Sequence, residues 1–316
     1  MVTLAIGEVL FMNEKMKIIL DTDIGDDIDD AFALSILLQD KRVDLLGVTT
    51  VFRNSKMRAQ MASSLALAFH HPVPVYKGVD DPFIQTEKDL VPEDIRKKEK
   101  KDEEGKYYIP QFMEEMKKSP IEKEHAVDFI IRMVHLYPHE IILVGIGPLT
   151  NIAMALRKDP SIIPLLKEIR IMGGEPTNDE VKEWNIFCDP EAAHIVFASN
   201  VPLYMIGLNV TMKCQLVKKY RDILESIHEM QYELLVTMMQ KWFQHYEFTM
   251  PVMHDPLAVA TLLGNFCTFK KERFSVDLKD KRAGIVKDSL AREVYYADTV
   301  DVEKFFTYFI QTIFNR

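Results

Sequence analysis

Six aspartates fall within the ten residues from Asp21 to Asp30 (DTDIGDDIDD), directly behind the apolar run Lys17-Ile18-Ile19-Leu20. Carboxylates at that density repel one another unless they diverge into water or share a cation. The cluster ends a buried-looking strand and opens a helix, which places it at the carboxyl end of a parallel strand, where open α/β sheets bind ligands. Gly25 permits a tight turn, and Asp29 and Asp30 fall at the helix N-terminus, where the macrodipole favours carboxylates. Capping explains one or two of these residues. An oxygen-only donor set suits Ca2+ or Mg2+ rather than zinc. An EF-hand does not fit: the twelfth position from Asp21 is Phe32, where that loop needs a bidentate Glu.

The rest of the chain continues the alternation that the cluster begins. Apolar runs at 17–20, 43–51, 73–76, 140–146, 169–172 and 202–206 predict six strands. Helical patterns lie between them at 31–38, 55–69, 121–136, 149–156 and 190–198. Repeated βαβ units with right-handed crossovers give an α/β fold, a single doubly wound, mostly parallel sheet with flanking helices. Residues 80–118 break the rhythm with RKKEKKDEEGK at 96–106, read as a solvated excursion or as a flap over the site. After about residue 212 come longer helices, then a small strand-rich segment near 273–297. Residues 1–15 read as a leader and 16–316 as the folded unit.

Charge and cysteine content narrow the partners. With Lys plus Arg at 39 and Asp plus Glu at 48, the net charge is -9, which disfavours nucleic acid. Cys188, Cys214 and Cys267 are widely spaced and form no CxxC pair, as expected for reduced thiols in the cytoplasm. No apolar run approaches the roughly 20 residues of a membrane helix. The first twelve residues carry Glu8 and lack a basic start, unlike a signal peptide.

The strand with its DTDIGDDIDDAFAL sequence resembles the amino-terminal signature of the inosine-uridine-type nucleoside hydrolases. Four further segments are similar to that family and stand in the expected order. They are Thr49 to Asn54 (TTVFRN), Ile146 to Ala153 (IGPLTNIA), Glu183 to Ala193 (EWNIFCDPEAA) and His254 to Val259 (HDPLAV). Together the five segments span residues 17 to 260.

The resemblance implies a metal-dependent enzyme that cleaves the N-glycosidic bond of ribonucleosides to ribose and free base, working as a homodimer or homotetramer. It implies one Ca2+ held by the side chains of Asp23, Asp30 and Asp255 and by the backbone carbonyl of Ile146. Such an ion can chelate the vicinal hydroxyls of ribose beside a water, while the carboxylates favour the positive charge that develops on the sugar. Asp29 is implied as the base that deprotonates the water. The paired aspartates follow the glycine two residues later than in the commonest family pattern, so Asp27 competes with Asp29 as base and with Asp30 as ligand. Asn54, Glu183, Asn185 and, in a shortened loop, Asn178 match positions that grip the sugar. His254 matches a histidine that protonates the departing base. The histidine motif often found after the third strand is absent, which leaves base preference open. Two other readings of the cluster are a haloacid-dehalogenase-like Mg2+ phosphatase with Asp21 and Asp23 as its reactive pair, and a calcium and ribosyl-binding protein without turnover.

Overall fold

The computed structural model describes residues 15–226, 229–246, 250–279 and 283–314. Apart from Lys15, the leader expected over 1–15 lies outside the described residues.

Nine strands form one sheet: β1 (Met16–Thr22), β2 (Val43–Thr50), β3 (Val75–Lys77), β4 (Ile142–Gly145), β5 (Glu168–Met172), β6 (Leu203–Ile206), β7 (Cys267–Val276), β8 (Ile285–Lys287) and β9 (Glu293–Val300), in the order β3-β2-β1-β4-β5-β6-β9-β7-β8. Pairing is parallel from β3 through β9, and β7 then runs antiparallel to both β9 and β8. The helices are α1 (Asp29–Gln39), α2 (Ser55–Ala68), α3 (Glu87–Leu90), α4 (Glu93–Arg96), α5 (Ala126–Leu136), α6 (Thr150–Lys158), α7 (Trp184–Cys188), α8 (Pro190–Ala198), α9 (Leu208–Thr211), α10 (Lys218–Glu225), α11 (Glu233–His245), α12 (His254–Ala260) and α13 (Val302–Phe314).

A strand covered on both faces must be apolar at successive positions, and its residues divide between two cores. On β1, Ile18 and Leu20 join the core beneath α1, α2, α12 and α13, whereas Ile19 joins the one beneath α5, α6 and α8. The same division separates Ile142 and Val144 from Leu143 on β4. This is the doubly wound architecture expected from the alternation.

Two boundaries differ from expectation. The strand-rich segment begins at Cys267, and β9 pairs in parallel with β6, so the segment extends the main sheet. Polar residues through β7 (CTFKKERFSV) hide it, since an antiparallel strand near the sheet margin can keep one face in water. The helix expected over 121–136 starts at Ala126, after His125 accepts a hydrogen bond from the Val127 amide at 3.3 Å.

Candidate active site

Strand order decides where a site can form. From β1 the chain first moves outward to β2 and β3, then returns to place β4 on the other side of β1. Such a reversal opens a crevice at the carboxyl ends of the two central strands. The aspartate cluster leaves β1 there and Ile146-Gly147 leaves β4, joined by the Ile146 amide donating to the Asp21 carbonyl at 2.9 Å. Gly25 turns the chain at φ 119°, a conformation that favours glycine, and Ile109 and Met61 pack where a Cβ would stand. At Gly147 a Cβ would come within 2.5 Å of Asp23 Oδ1, so the bare backbone lets the carboxylate lie against the Ile146-Gly147 turn.

Four acids form the floor of the crevice. Asp29, Asp30 and Asp255 are buried and bring carboxylate oxygens within 4.8 Å of one another; Asp23, also buried, lies outside that trio but near enough for its charge to act on Asp29 and Asp255. Asp29 Oδ2 accepts from the Asp255 amide at 3.0 Å, tying the start of α1 to the start of α12, and Thr22 Oγ1 donates to Asp30 Oδ1 at 2.5 Å. Burial, then the charges of neighbouring carboxylates, pushes Asp23, Asp29 and Asp255 well above the usual carboxylate range. Asp30 is raised by burial to about 7. Buried carboxylates in this state favour either shared protons or a cation among them. The oxygen-only donor set fits a hard divalent ion.

Asp21 lies beneath this floor. Its Oδ1 accepts from Thr49 Oγ1 at 2.6 Å and from Asn151 Nδ2 at 2.7 Å, and its carboxyl is absent from the cavity lining. Burial raises it to about 7. It therefore braces β1 against β2 and α6 and cannot serve as the phosphatase nucleophile.

Above the floor is a cavity of about 1040 Å3, at the upper end of the roughly 300–1,000 Å3 typical of small-molecule sites. Its wall comes largely from two regions: residues 90–112 of the charged excursion, and α11 with Trp242 and Tyr246 at its end. The excursion is therefore more than a solvated loop. Arg53, at φ 58° in the turn after β2, pairs with Glu99 at 2.7 Å and stacks its guanidinium 3.7 Å from the Tyr107 ring, fastening the excursion to the sheet.

The expected sugar-binding residues divide into two groups. Glu183 and Asn185 line the cavity. Glu183 caps α7 by accepting from the Asn185 and Ile186 amides, and it also accepts from Gly174. Asn185 Nδ2 donates to the Ile146 carbonyl at 3.0 Å and to the Met172 carbonyl at 3.2 Å. Asn54 and Asn178 lie outside the lining. Asn54 caps α2 and donates to Asp102 at 2.7 Å and to the Tyr107 carbonyl at 3.0 Å, whereas Asn178 is exposed and caps a turn by accepting from the Glu180 amide. His254 lines the cavity with Nδ1 2.7 Å from Thr211 Oγ1, and burial lowers it to about 4. Asp27 also lines the cavity, but its Oδ1 accepts from the Ile28 amide at 2.7 Å and it stays outside the buried trio.

The sequence reading missed the wall residues Tyr107, Trp184 and Trp242 and the buried Arg58. The aromatic residues sit in loops or at helix ends without periodicity. Arg58 carried one available signal, a cation on the otherwise apolar face of α2.

Comparison with known proteins agrees with the geometry. The family model described as inosine-uridine preferring nucleoside hydrolase matches residues 18–307. A pyrimidine-specific ribonucleoside hydrolase, RihB, of Escherichia coli O9:H4 (strain HS) is 38% identical over 203 residues, 63% of this chain and 61% of that relative. The match thus spans under two thirds of that protein. RihB of Shigella flexneri serotype 5b is 32% identical over 259 residues, 79% of each chain. Among solved structures, a purine-preferring ribonucleoside hydrolase from Gardnerella vaginalis superposes with a TM-score of 0.77 at 29% identity, covering 94% of this chain and 98% of the other. A plant nucleoside hydrolase shares the fold at a TM-score of 0.76 and 22% identity, with the same coverage.

Proposed function

The chain belongs to the inosine-uridine preferring nucleoside hydrolase family, and on that premise we propose that it cleaves ribonucleosides to ribose and free base with one bound Ca2+. The observation that carries the reading is the buried trio Asp29, Asp30 and Asp255, with Asp23 near it, at the floor of a cavity large enough for a nucleoside.

In this reading Asp23, Asp30, Asp255 and the Ile146 carbonyl hold the ion. Bound there, it would acidify a water and chelate the ribose hydroxyls. Asp29 is the base. Its Oδ2 is taken by the Asp255 amide, so Oδ1 receives the proton from the attacking water. Its place in the buried trio favours it over Asp27. The other carboxylates favour the oxocarbenium-like charge on the sugar as the bond to the base lengthens. Glu183 and Asn185 orient the ribose. Thr211 occupies Nδ1 of His254, leaving Nε2 for the departing base. Because burial keeps that ring neutral, its contribution grows only as negative charge develops on the base.

Residues 16–316 act as one unit in this proposal. Support comes from the continuity of the sheet to β9 and from the packing of α13 against α1. Work in the cytoplasm as a homodimer or homotetramer completes the reading, with light scattering as its check. Among the described residues no helix is long and apolar enough to cross a membrane.

Chromatography of inosine and uridine incubated with Ca2+-loaded protein tests the reaction. Free hypoxanthine or uracil together with ribose is the expected outcome. Intact nucleosides throughout, with a ribosyl ligand bound, would instead favour the binding-protein alternative.

A further inference from the structure

Residues 107–112 bridge the acidic turn and the cavity, with Tyr107 reaching both. Tyr107, Ile109 and Gln111 face the turn. The Tyr107 hydroxyl donates to Asp26 Oδ1 at 3.0 Å, and Ile109 fills the space beside Gly25. Gln111, fully buried, donates from its backbone amide to the Gly25 carbonyl at 3.3 Å. Its Nε2 donates to the Asp26 and Asp27 carbonyls at 3.0 and 2.8 Å. Three successive residues of the turn are thus held by one side chain and its own backbone. The intervening residues Tyr108, Pro110 and Phe112 line the cavity.

A second clamp meets the same turn from α2. Arg58, fully buried, donates to the Asp23 and Ile24 carbonyls and pairs with Asp26 Oδ2 at 2.7 Å. The turn between Asp23 and Asp29 is therefore fixed along its length by side chains from two other segments. The carboxylates at its two ends are those assigned to the ion and to the base.

We propose that the 107–112 segment is a positioning strut for the metal site: Gln111 and Tyr107, with Arg58, set the path of the Gly25–Ile28 turn and thereby the spacing of Asp23 from Asp29 and Asp30. The strut offsets the added length of the DTDIGDDIDD turn, because a longer connection has more conformations to restrict. The inference rests on the metal-dependent reading above. Gln111, fully buried and outside the cavity lining, is a positioning residue; Tyr107 also lines the cavity, so its part in the strut is read from Ca2+ affinity rather than from KM.

Calorimetric Ca2+ titration and thermal unfolding with and without Ca2+ test the strut on wild type, Gln111→Ala, Tyr107→Phe and Tyr108→Ala. Wild-type Ca2+ binding tests the underlying reading; the variants test the strut. Gln111→Ala is expected to weaken Ca2+ binding by about tenfold to a hundredfold, the scale seen when groups supporting metal ligands are removed. It should also lower kcat and shrink the Ca2+-induced rise in melting temperature, which follows metal affinity. Tyr107→Phe, which keeps the ring under Arg53, should do the same more weakly. Tyr108→Ala should raise KM and leave Ca2+ affinity unchanged. A Gln111→Ala protein that melts lower by the same amount with and without Ca2+, and binds Ca2+ and turns over as wild type does, would overturn the proposal. If Gln111→Ala does not fold, Tyr107→Phe alone decides: wild-type Ca2+ affinity in that variant would equally overturn it.

Discussion

The floor and the wall of the cavity are built on different terms. The floor sits just after β1 and at the starts of α1 and α12, where every carboxylate is buried and the connecting turn is held by the buried side chains of Arg58 and Gln111. The wall comes from the excursion and from α11, held by side-chain contacts such as Arg53 with Glu99, and it mixes aromatic rings with exposed lysines. The difference suggests a division of labour. In the proposed function the floor does the chemistry common to any ribonucleoside, and the wall meets the variable base.

If that division holds, floor substitutions should damage turnover and wall substitutions mainly binding. The largest effect is expected from Asp255→Ala, which removes a proposed ligand: activity should fall by on the order of 10²–10³-fold, with loss of Ca2+ binding by calorimetry. Asp29→Asn should cost roughly 10²-fold or more in kcat while Ca2+ still binds. Asp27→Asn should cost much less in the same assay, and the reverse ranking would reassign the base. On the wall, Trp184→Ala should raise KM by roughly 2- to 10-fold, the scale of one lost aromatic contact, with kcat little changed and the ratio differing between purine and pyrimidine substrates. The smallest effect is Asn178→Ala: steady-state kinetics within about twofold of wild type, as for surface residues that touch no site. A large KM increase there would mean that the 174–183 loop reaches the sugar.

The same contrast explains what could be read from the sequence. Strands β1 to β6 were legible because strands buried on both faces are continuously apolar, and the floor was legible because acids at the end of such a strand need a cation. The strand β7 was truncated because its polar residues mimic a loop. Asn54 matched a sugar-binding pattern but caps α2 and ties down the excursion, a difference that depends on where residues 102 and 107 lie in space. The wall was illegible for the same reason: Tyr107, Trp184 and Trp242 are far apart along the chain and meet only when the excursion folds back. Arg58 reads as an anomaly on an apolar helix face until the turn it holds is visible.

The central claim is that the acidic floor holds one ion on which ribonucleoside cleavage depends. It is tested most directly by stripping the protein with chelator, confirming by elemental analysis that it is metal-free, and following ribose release from inosine and uridine as Ca2+ is titrated back. The account predicts negligible release from stripped protein and recovery that saturates near one Ca2+ per chain. Full ribose release from protein shown to be metal-free would contradict it.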